Sequence, residues 1–345
     1  MTRDQKLALA AVSVGAGVVV RLMLKRPKLR EMAGSVVLIT GGSRGLGLAM
    51  AREFAEEGCR IVICARDRRE LDKARAQLER DGAEVLALEC DVTQRTAVET
   101  MIREATAHYG RIDVLVNNAG VIEVGPVENM TTEDFEAAMD VMFWGVVHPT
   151  LAILPQMLER AAGRIVNITS IGGKVSVPHL LPYNCAKFAA VGFSEGLRAE
   201  LVGKGVLVTT VAPGLMRTGS YLNAKVKGRK EQDATWFSLA ASLPLLSMGA
   251  EKAARKIVKA TKRGEAEEIL TAPDKVLAQV HAAAPGKTAD LLGLAARLLL
   301  PPSGRNEKSG LARRVMRLRL PWMKLAMLLG RLAARRLFQP EASRA

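Results

Sequence analysis

From residue 35 to about residue 271, short apolar runs alternate with longer segments of mixed polarity. The runs fall at 35–40, 60–65, 84–89, 114–116, 165–168, 205–211 and 267–271. Those dense in Val, Ile and Leu lack the two-residue alternation of a half-exposed strand, the pattern of parallel strands covered on both faces. Amphipathic segments between them predict helices, among them one closing near Glu57, one over 68–80, one ending near Tyr109 and one over 251–262. Strand and helix in alternation predict an α/β fold, a doubly wound Rossmann sheet of seven parallel strands. The stretch 219–246 breaks the rhythm. Its Trp236, Phe237, Leu239, Leu243, Leu245 and Leu246 follow no period, so it reads as an irregular apolar stretch.

The first strand runs into Gly41-Gly42-Ser43-Arg44-Gly45-Leu46-Gly47, and a helix follows. A glycine turn in that context lets the backbone approach a pyrophosphate at the helix N-terminus. The second strand ends at Ala65-Arg66, with no carboxylate for a ribose 2′-hydroxyl. Arg66, with Arg44 in the turn opposite, suits a 2′-phosphate, so the pattern favours NADP(H) over two arginines of mere surface charge. Farther on, the strand 165–168 delivers Thr169 and Ser170 to its carboxyl end, ahead of Gly172 and Gly173. Tyr183 and Lys187 are four residues apart and share a helix face. A free phenol titrates near 10, an ammonium beside it favours the phenolate, and a serine hydroxyl holds a carbonyl oxygen in front of it. Such a site moves a proton during ketone reduction or alcohol oxidation.

Ser170, thirteen residues before Tyr183-x-x-x-Lys187, with the Thr-Gly-x-x-x-Gly-x-Gly turn and the Asn117-Asn118-Ala119-Gly120 step, resembles the short-chain dehydrogenase/reductase family over about 34–272. The resemblance implies that Ser170 positions substrate and Tyr183 is the acid/base. Lys187 would lower the phenol's pKa and hold the nicotinamide ribose. It also implies a coenzyme site of Gly41, Ser43, Arg44, Gly45, Leu46, Gly47 and Arg66. Asp91 would touch the adenine, Asn117 would lie nearest the coenzyme, and Ala119 and Gly120 would border it. Pro213-Gly214-x-x-x-Thr218 would cover the nicotinamide, with Met216 and Thr218 near the carboxamide and pyrophosphate. One position departs from the pattern. Met142 stands where the family carries an Asn that supports a water chain, and a thioether is a poor acceptor.

The net charge of +15 is segregated. Residues 1–30 carry seven Lys/Arg and one Asp, and residues 301–345 carry eleven Lys/Arg and two Glu, which accounts for all of it. A neutral centre between two basic, apolar ends points to an anionic membrane surface rather than to nucleic acid. Leu7–Val20 is an unbroken apolar run followed by Arg21, Lys25, Arg26, Lys28 and Arg30, the composition of an anchor or interfacial helix with the enzyme on the cytoplasmic side. In 322–338, Leu325, Leu328, Leu329 and Leu332 recur at helical spacing opposite Lys324, Arg331 and Arg335, beside Trp322, which reads as a membrane-surface helix. The basic run Lys225, Lys227, Arg229, Lys230 reads as a solvated loop. Cys59, Cys64, Cys90 and Cys185 lack metal spacing and read as buried reduced thiols, with no metal site.

The chain thus divides into an N-terminal segment 1–30, an NADP-binding domain 34–272 and a basic helical extension 273–345. The expected activity is hydride transfer between NADP(H) and a carbonyl or secondary alcohol of a hydrophobic, lipid-like molecule, in a membrane-associated enzyme. The competing readings are a soluble, cytoplasmic small-ketone reductase whose basic ends serve homo-oligomer contacts, and an NADP(H)-binding scaffold or sensor without turnover.

Overall fold

The computed structural model describes residues 31–243, 247–302, 309–315 and 327–339. The apolar runs become β1 (Val36–Thr40), β2 (Arg60–Ala65), β3 (Val85–Glu89), β4 (Val114–Asn117), β5 (Gly163–Ile168), β6 (Val206–Ala212) and β7 (Glu267–Ile269). They lie in the order β7-β6-β5-β4-β1-β2-β3, every pairing parallel. The strand order reverses at β1, and a sheet of this kind leaves its crevice beyond the carboxyl ends of β1 and β4.

The helices are α1 (Gly45–Glu56), α2 (Arg68–Arg80), α3 (Arg95–Tyr109), α4 (Thr132–Met139), α5 (Gly145–Glu159) and α6 (Leu181–Glu200). Then come α7 (Lys230–Ser242), α8 (Ala250–Arg263), α9 (Ala272–Ala283), α10 (Pro285–Leu299) and α11 (Leu328–Arg336). Alternate side chains of β1 enter opposite cores. Val37 and Ile39 pack with Leu48 and Phe54 of α1 and Ile257 of α8. Val36 and Leu38 pack with Val98 and Ile102 of α3 and Ile153 of α5. That double coverage is why the strands read as continuous apolar runs.

A polar chain threads this apolar sheet. Asn117 of β4 donates to Thr150 Oγ1 of α5 at 3.0 Å and to Asn167 Oδ1 of β5 at 2.8 Å. Asn167 donates in turn to Ser194 Oγ of α6 at 2.9 Å, and Ser194 Oγ lies 2.7 Å from Thr210 Oγ1 of β6. All five residues are buried. The chain ties three strands and two helices at the level where the site begins.

Several expectations change. The stretch 219–246 is not irregular, since α7 occupies much of it. The helix hid from the pattern because its buried face includes a charge: Asp233, fully buried, lies 2.9 Å from His179 Nδ1 and accepts from Trp236 Nε1 at 3.2 Å. The basic run is not uniformly solvated, because Lys227 is buried in an ion pair with Asp134 of α4. Cys185 is exposed, while the other three cysteines are buried. In α11 the leucines Leu328, Leu329 and Leu332 face solvent, and the helix docks through Gly330 and Ala334. Small residues let the backbone approach more closely than leucines would. Leu7–Val20, Leu245, Leu246 and Trp322–Leu325 lie outside the described residues. Among the described residues, the one helical stretch long and apolar enough to cross a membrane is Thr132–Glu159. It packs against α3 and α6 on one side and exposes Trp144, Leu151 and Leu158 on the other.

Replacing Asn167 by Leu keeps the volume and removes the centre of the polar chain. Each buried group left short of a partner costs about 1–3 kcal/mol. Urea unfolding of Asn167→Leu should therefore show a loss of that size, and an unchanged midpoint would show that the chain contributes nothing to stability.

Candidate active site

Ser170 follows directly on β5 and Thr169, whose backbone N–H stays in register with β6 by donating to the Val211 carbonyl at 2.8 Å. Its hydroxyl accepts from the Gly172 amide at 3.0 Å and donates to the Pro213 carbonyl at 3.5 Å. Tyr183 sits in the first turn of α6, which starts at Leu181-Pro182, a proline being suited to the first helical turn. A Cβ on Gly172 would meet the Tyr183 ring at 3.2 Å and Ser170 Oγ at 3.4 Å, so the two side chains adjoin there. One turn on, Lys187 is only 4% exposed, and its Nζ donates to the Ile168 carbonyl at 2.8 Å. That Nζ lies 5.9 Å from the centre of the Tyr183 ring. Ser170, Tyr183 and Lys187 thus converge at one place, as the spacing anticipates.

The electrostatics differ from the simple expectation. Burial raises the Tyr183 pKa, and the Ser170 hydroxyl offsets this only in part. Burial also lowers Lys187 to about 8. The ammonium here bonds a carbonyl rather than the phenol, so desolvation outweighs its help to the phenolate. Asn184, which the sequence did not single out, fixes the loop that carries these groups. Its Nδ2 donates to the Val177 carbonyl at 2.7 Å and to Ser176 Oγ at 3.1 Å.

On the other side of the crevice, the glycine turn is built for close backbone approach. A Cβ on Gly47 would lie 2.2 Å from the Gly41 carbonyl oxygen, so a side chain has no room there. Gly41 adopts φ +64° against Ala119, and Leu46 is buried beneath the turn. Asn118, rather than Asn117, holds the turn: it donates to the carbonyls of Thr40 at 2.9 Å and Gly41 at 3.2 Å. Asn117 spends its amide inside the sheet, tying β4 to β5 and α5. Gly120 backs onto Met142, which is buried in a π-helical turn, Asp140–Trp144.

Both arginines already face carboxylates. Arg44 Nη1 lies 2.8 Å from Glu70, which also accepts from Ser43 Oγ at 3.3 Å, and Arg66 lies 3.9 Å from Asp91. Glu70 gave no sequence signal, being one acidic residue among many on a helix. Asp91 also accepts from the Thr93 amide at 3.0 Å. Pro213 and Gly214 follow β6, with Gly214 against the Asp274 carboxylate at the start of α9. Met216 packs on the sheet core, and buried Thr218 bonds Ser220 Oγ at 2.9 Å.

These residues fit a dinucleotide. The N-terminus of α1 has no side-chain cap, and a Cβ on Gly45 would point toward Thr218 at 4.0 Å, so turn and Thr218 face one another across a narrow gap. The chain's own C-terminal segment enters the same gap. The Gly45 amide donates to the Leu337 carbonyl at 2.9 Å, and Gln339 Nε2 stands 2.8 Å from where that Cβ would be.

A parallel sheet of this order, with a glycine turn at β1 and a Ser-Tyr-Lys cluster beyond β5, defines an oxidoreductase that binds a nicotinamide coenzyme. Residues 35–227 match the short chain dehydrogenase family, and the chain belongs to that family. It is 35% identical over 244 residues to a putative oxidoreductase, SadH, of Mycobacterium tuberculosis, covering 70% of this chain and 88% of that one. It is 36% identical over 191 residues to a 3-oxoacyl-[acyl-carrier-protein] reductase of Synechocystis, covering 55% of this chain and 77% of that one. Among solved structures, an actinorhodin polyketide ketoreductase variant with NADPH superposes with a TM-score of 0.61 at 29% identity, covering 70% of this chain and 97% of that one. Chain similarity therefore supports a hydride-transferring reductase.

Proposed function

We propose that the domain 34–272 is an NADP(H)-dependent reductase of hydrophobic, lipid-like carbonyl compounds, with Tyr183 as the acid/base. The observation that carries this reading is the convergence of the Ser170 hydroxyl, the Tyr183 phenol and the buried Lys187 ammonium beyond β5. Ser170 holds the carbonyl oxygen, and Tyr183 donates the proton to it as charge develops there. Lys187, a cation below about pH 8, steadies the phenolate that remains. NADPH, when bound, supplies the hydride. The glycine turn would hold its pyrophosphate, and Arg44 and Arg66 would exchange Glu70 and Asp91 for the 2′-phosphate. That the acyl-carrier-protein and polyketide reductases are relatives favours an acyl-chain carbonyl, and the polyketide enzyme was solved with NADPH.

Apolar surface supports a lipid environment. The hairpin of α9 and α10 exposes Val276, Val280, Leu291, Leu294, Leu298 and Leu299, and α11 exposes three leucines more. Exposed apolar area on this scale marks an interaction surface. The root of the hairpin touches Gly214, so a surface buried in lipid would sit beside the substrate entrance.

Purified full-length chain should oxidise NADPH with long-chain ketones and bind it well over tenfold tighter than NADH, the 2′-phosphate contacts being charge-assisted. Tyr183→Phe should abolish turnover and leave NADPH binding nearly intact. An active Phe variant would remove Tyr183 from the mechanism, and coenzyme binding without turnover of any ketone would favour the sensor reading. In sedimentation with anionic vesicles, the full chain should pellet at low salt. Protein left in the supernatant would sink the membrane assignment.

A further inference from the structure

Behind Tyr183 lies a cavity of about 20 Å³, room for a water molecule. Its walls include Tyr183, Met142, Glu123, Asp134 and Lys225. Glu123, on the short strand Glu123–Val124, is 8% exposed, and its Oε1 finds no hydrogen-bond partner among the described residues. A buried carboxyl oxygen without a partner, on the wall of a water-sized cavity, marks a water site. Met142 offers that water almost nothing.

We propose that Glu123 feeds protons to Tyr183 through a water in this cavity. The inference rests on the activity proposed above. Once Tyr183 has given its proton to the substrate alkoxide, the cavity water protonates the phenolate. Glu123 passes its carboxyl proton to that water and regains one from solvent at exposed Lys225. The charges around Glu123 suit the task. Asp134 lines the same cavity, and its negative charge favours a proton on Glu123. Burial and then the charge of Asp134 raise Glu123, against the smaller pull of Lys225 and Lys227. At Asp134, burial is outweighed by hydrogen bonds from Lys227 and the Thr131 amide, so that carboxyl falls below its ordinary value. The pair therefore divides into an anion, Asp134, and a proton carrier, Glu123.

The test is Glu123→Gln in the full-length chain. Ketone turnover should fall about a hundredfold, the lower end of the range for lost proton-transfer assistance. Affinity for NADPH should hold, and the fall of kcat with rising pH that belongs to Glu123 should vanish. Infrared difference spectra should lose a carboxylic-acid band that titrates above the ordinary carboxylate range. Adding Met142→Asn should restore part of the turnover. An unchanged kcat and pH profile in Glu123→Gln, where Tyr183→Phe is inactive, would overturn the relay and leave the proposed activity standing.

A second observation is independent of the cavity. Residues 337–339 lie on the phosphate-binding turn. Leu337 is fully buried and takes the Gly45 amide, Gln339 bonds Asn223, and Lys73 Nζ sits 4.2 Å over the Phe338 ring. Phe338 adopts φ +56°, a region unfavourable for a bulky residue. The geometry points to this segment as a built-in competitor that holds the pyrophosphate site until a dinucleotide displaces it.

Amide hydrogen exchange on the full-length chain tests the competition. Without coenzyme, peptides covering 328–339 should be protected. With saturating NADPH they should exchange about tenfold faster or more, as a locally opened segment does, while β4 and β5 stay unchanged. Gln339→Ala should tighten NADPH binding. Protection of 328–339 that persists in the NADPH complex would overturn the competition. Failure to bind either nicotinamide dinucleotide would instead remove the coenzyme reading itself.

Discussion

An ammonium group kept out of water is the constraint around which this site is arranged. Lys187 is nearly sealed, and the described contact of its Nζ is the carbonyl that ends β5. A displacement from 10.5 to about 8 corresponds to roughly 3 kcal/mol of unfavourable burial. The unfolded chain binds this proton more tightly, so the cost is present below about pH 8 and fades between there and 10.5. The fold holds the group in place by crowding. A Cβ on Gly173 would lie 2.6 Å from the Lys187 backbone oxygen, so loop and helix lock together only with glycine there. A cation set under a phenol at such expense has its natural use when that phenol must carry negative charge.

The surrounding structure turns this local constraint into a shared geometry. Asn117, Asn167, Ser194 and Thr210 bind the carboxyl ends of β4, β5 and β6 to α6, the helix that carries Tyr183 and Lys187. Asn118 binds the glycine turn to the same end of β4. Neighbouring asparagines thus connect the Ser-Tyr-Lys side of the crevice to the glycine-turn side. The two halves of the crevice keep their spacing through side-chain amides rather than through packing alone.

Much of this was legible in the chain. Seven strands could be read because parallel strands covered on both faces become dense apolar runs, and Ser170, Tyr183 and Lys187 because helical spacing and strand-end placement are local. What stayed hidden depends on distant residues. Lys227 looked solvated because its partner, Asp134, lies ninety-three residues earlier. Helix α7 looked irregular because Asp233 occupies its buried face. Leu328, Leu329 and Leu332 followed helical spacing, yet the small residues Gly330 and Ala334 make the contact. Glu70, Glu123 and Leu337 carry no local signature, and only the fold brings them to the crevice.

The central claim is that hydride from a nicotinamide reaches a carbonyl held by Ser170 and Tyr183. The most direct measurement is a single turnover of the full-length chain with NADPH deuterated at its transferable position and a long-chain 3-oxoacyl thioester. Mass spectrometry and chiral separation of the alcohol read the result. The account predicts deuterium on the new carbinol carbon and one enantiomer of product. An alcohol without deuterium, or equal amounts of both enantiomers, would contradict it.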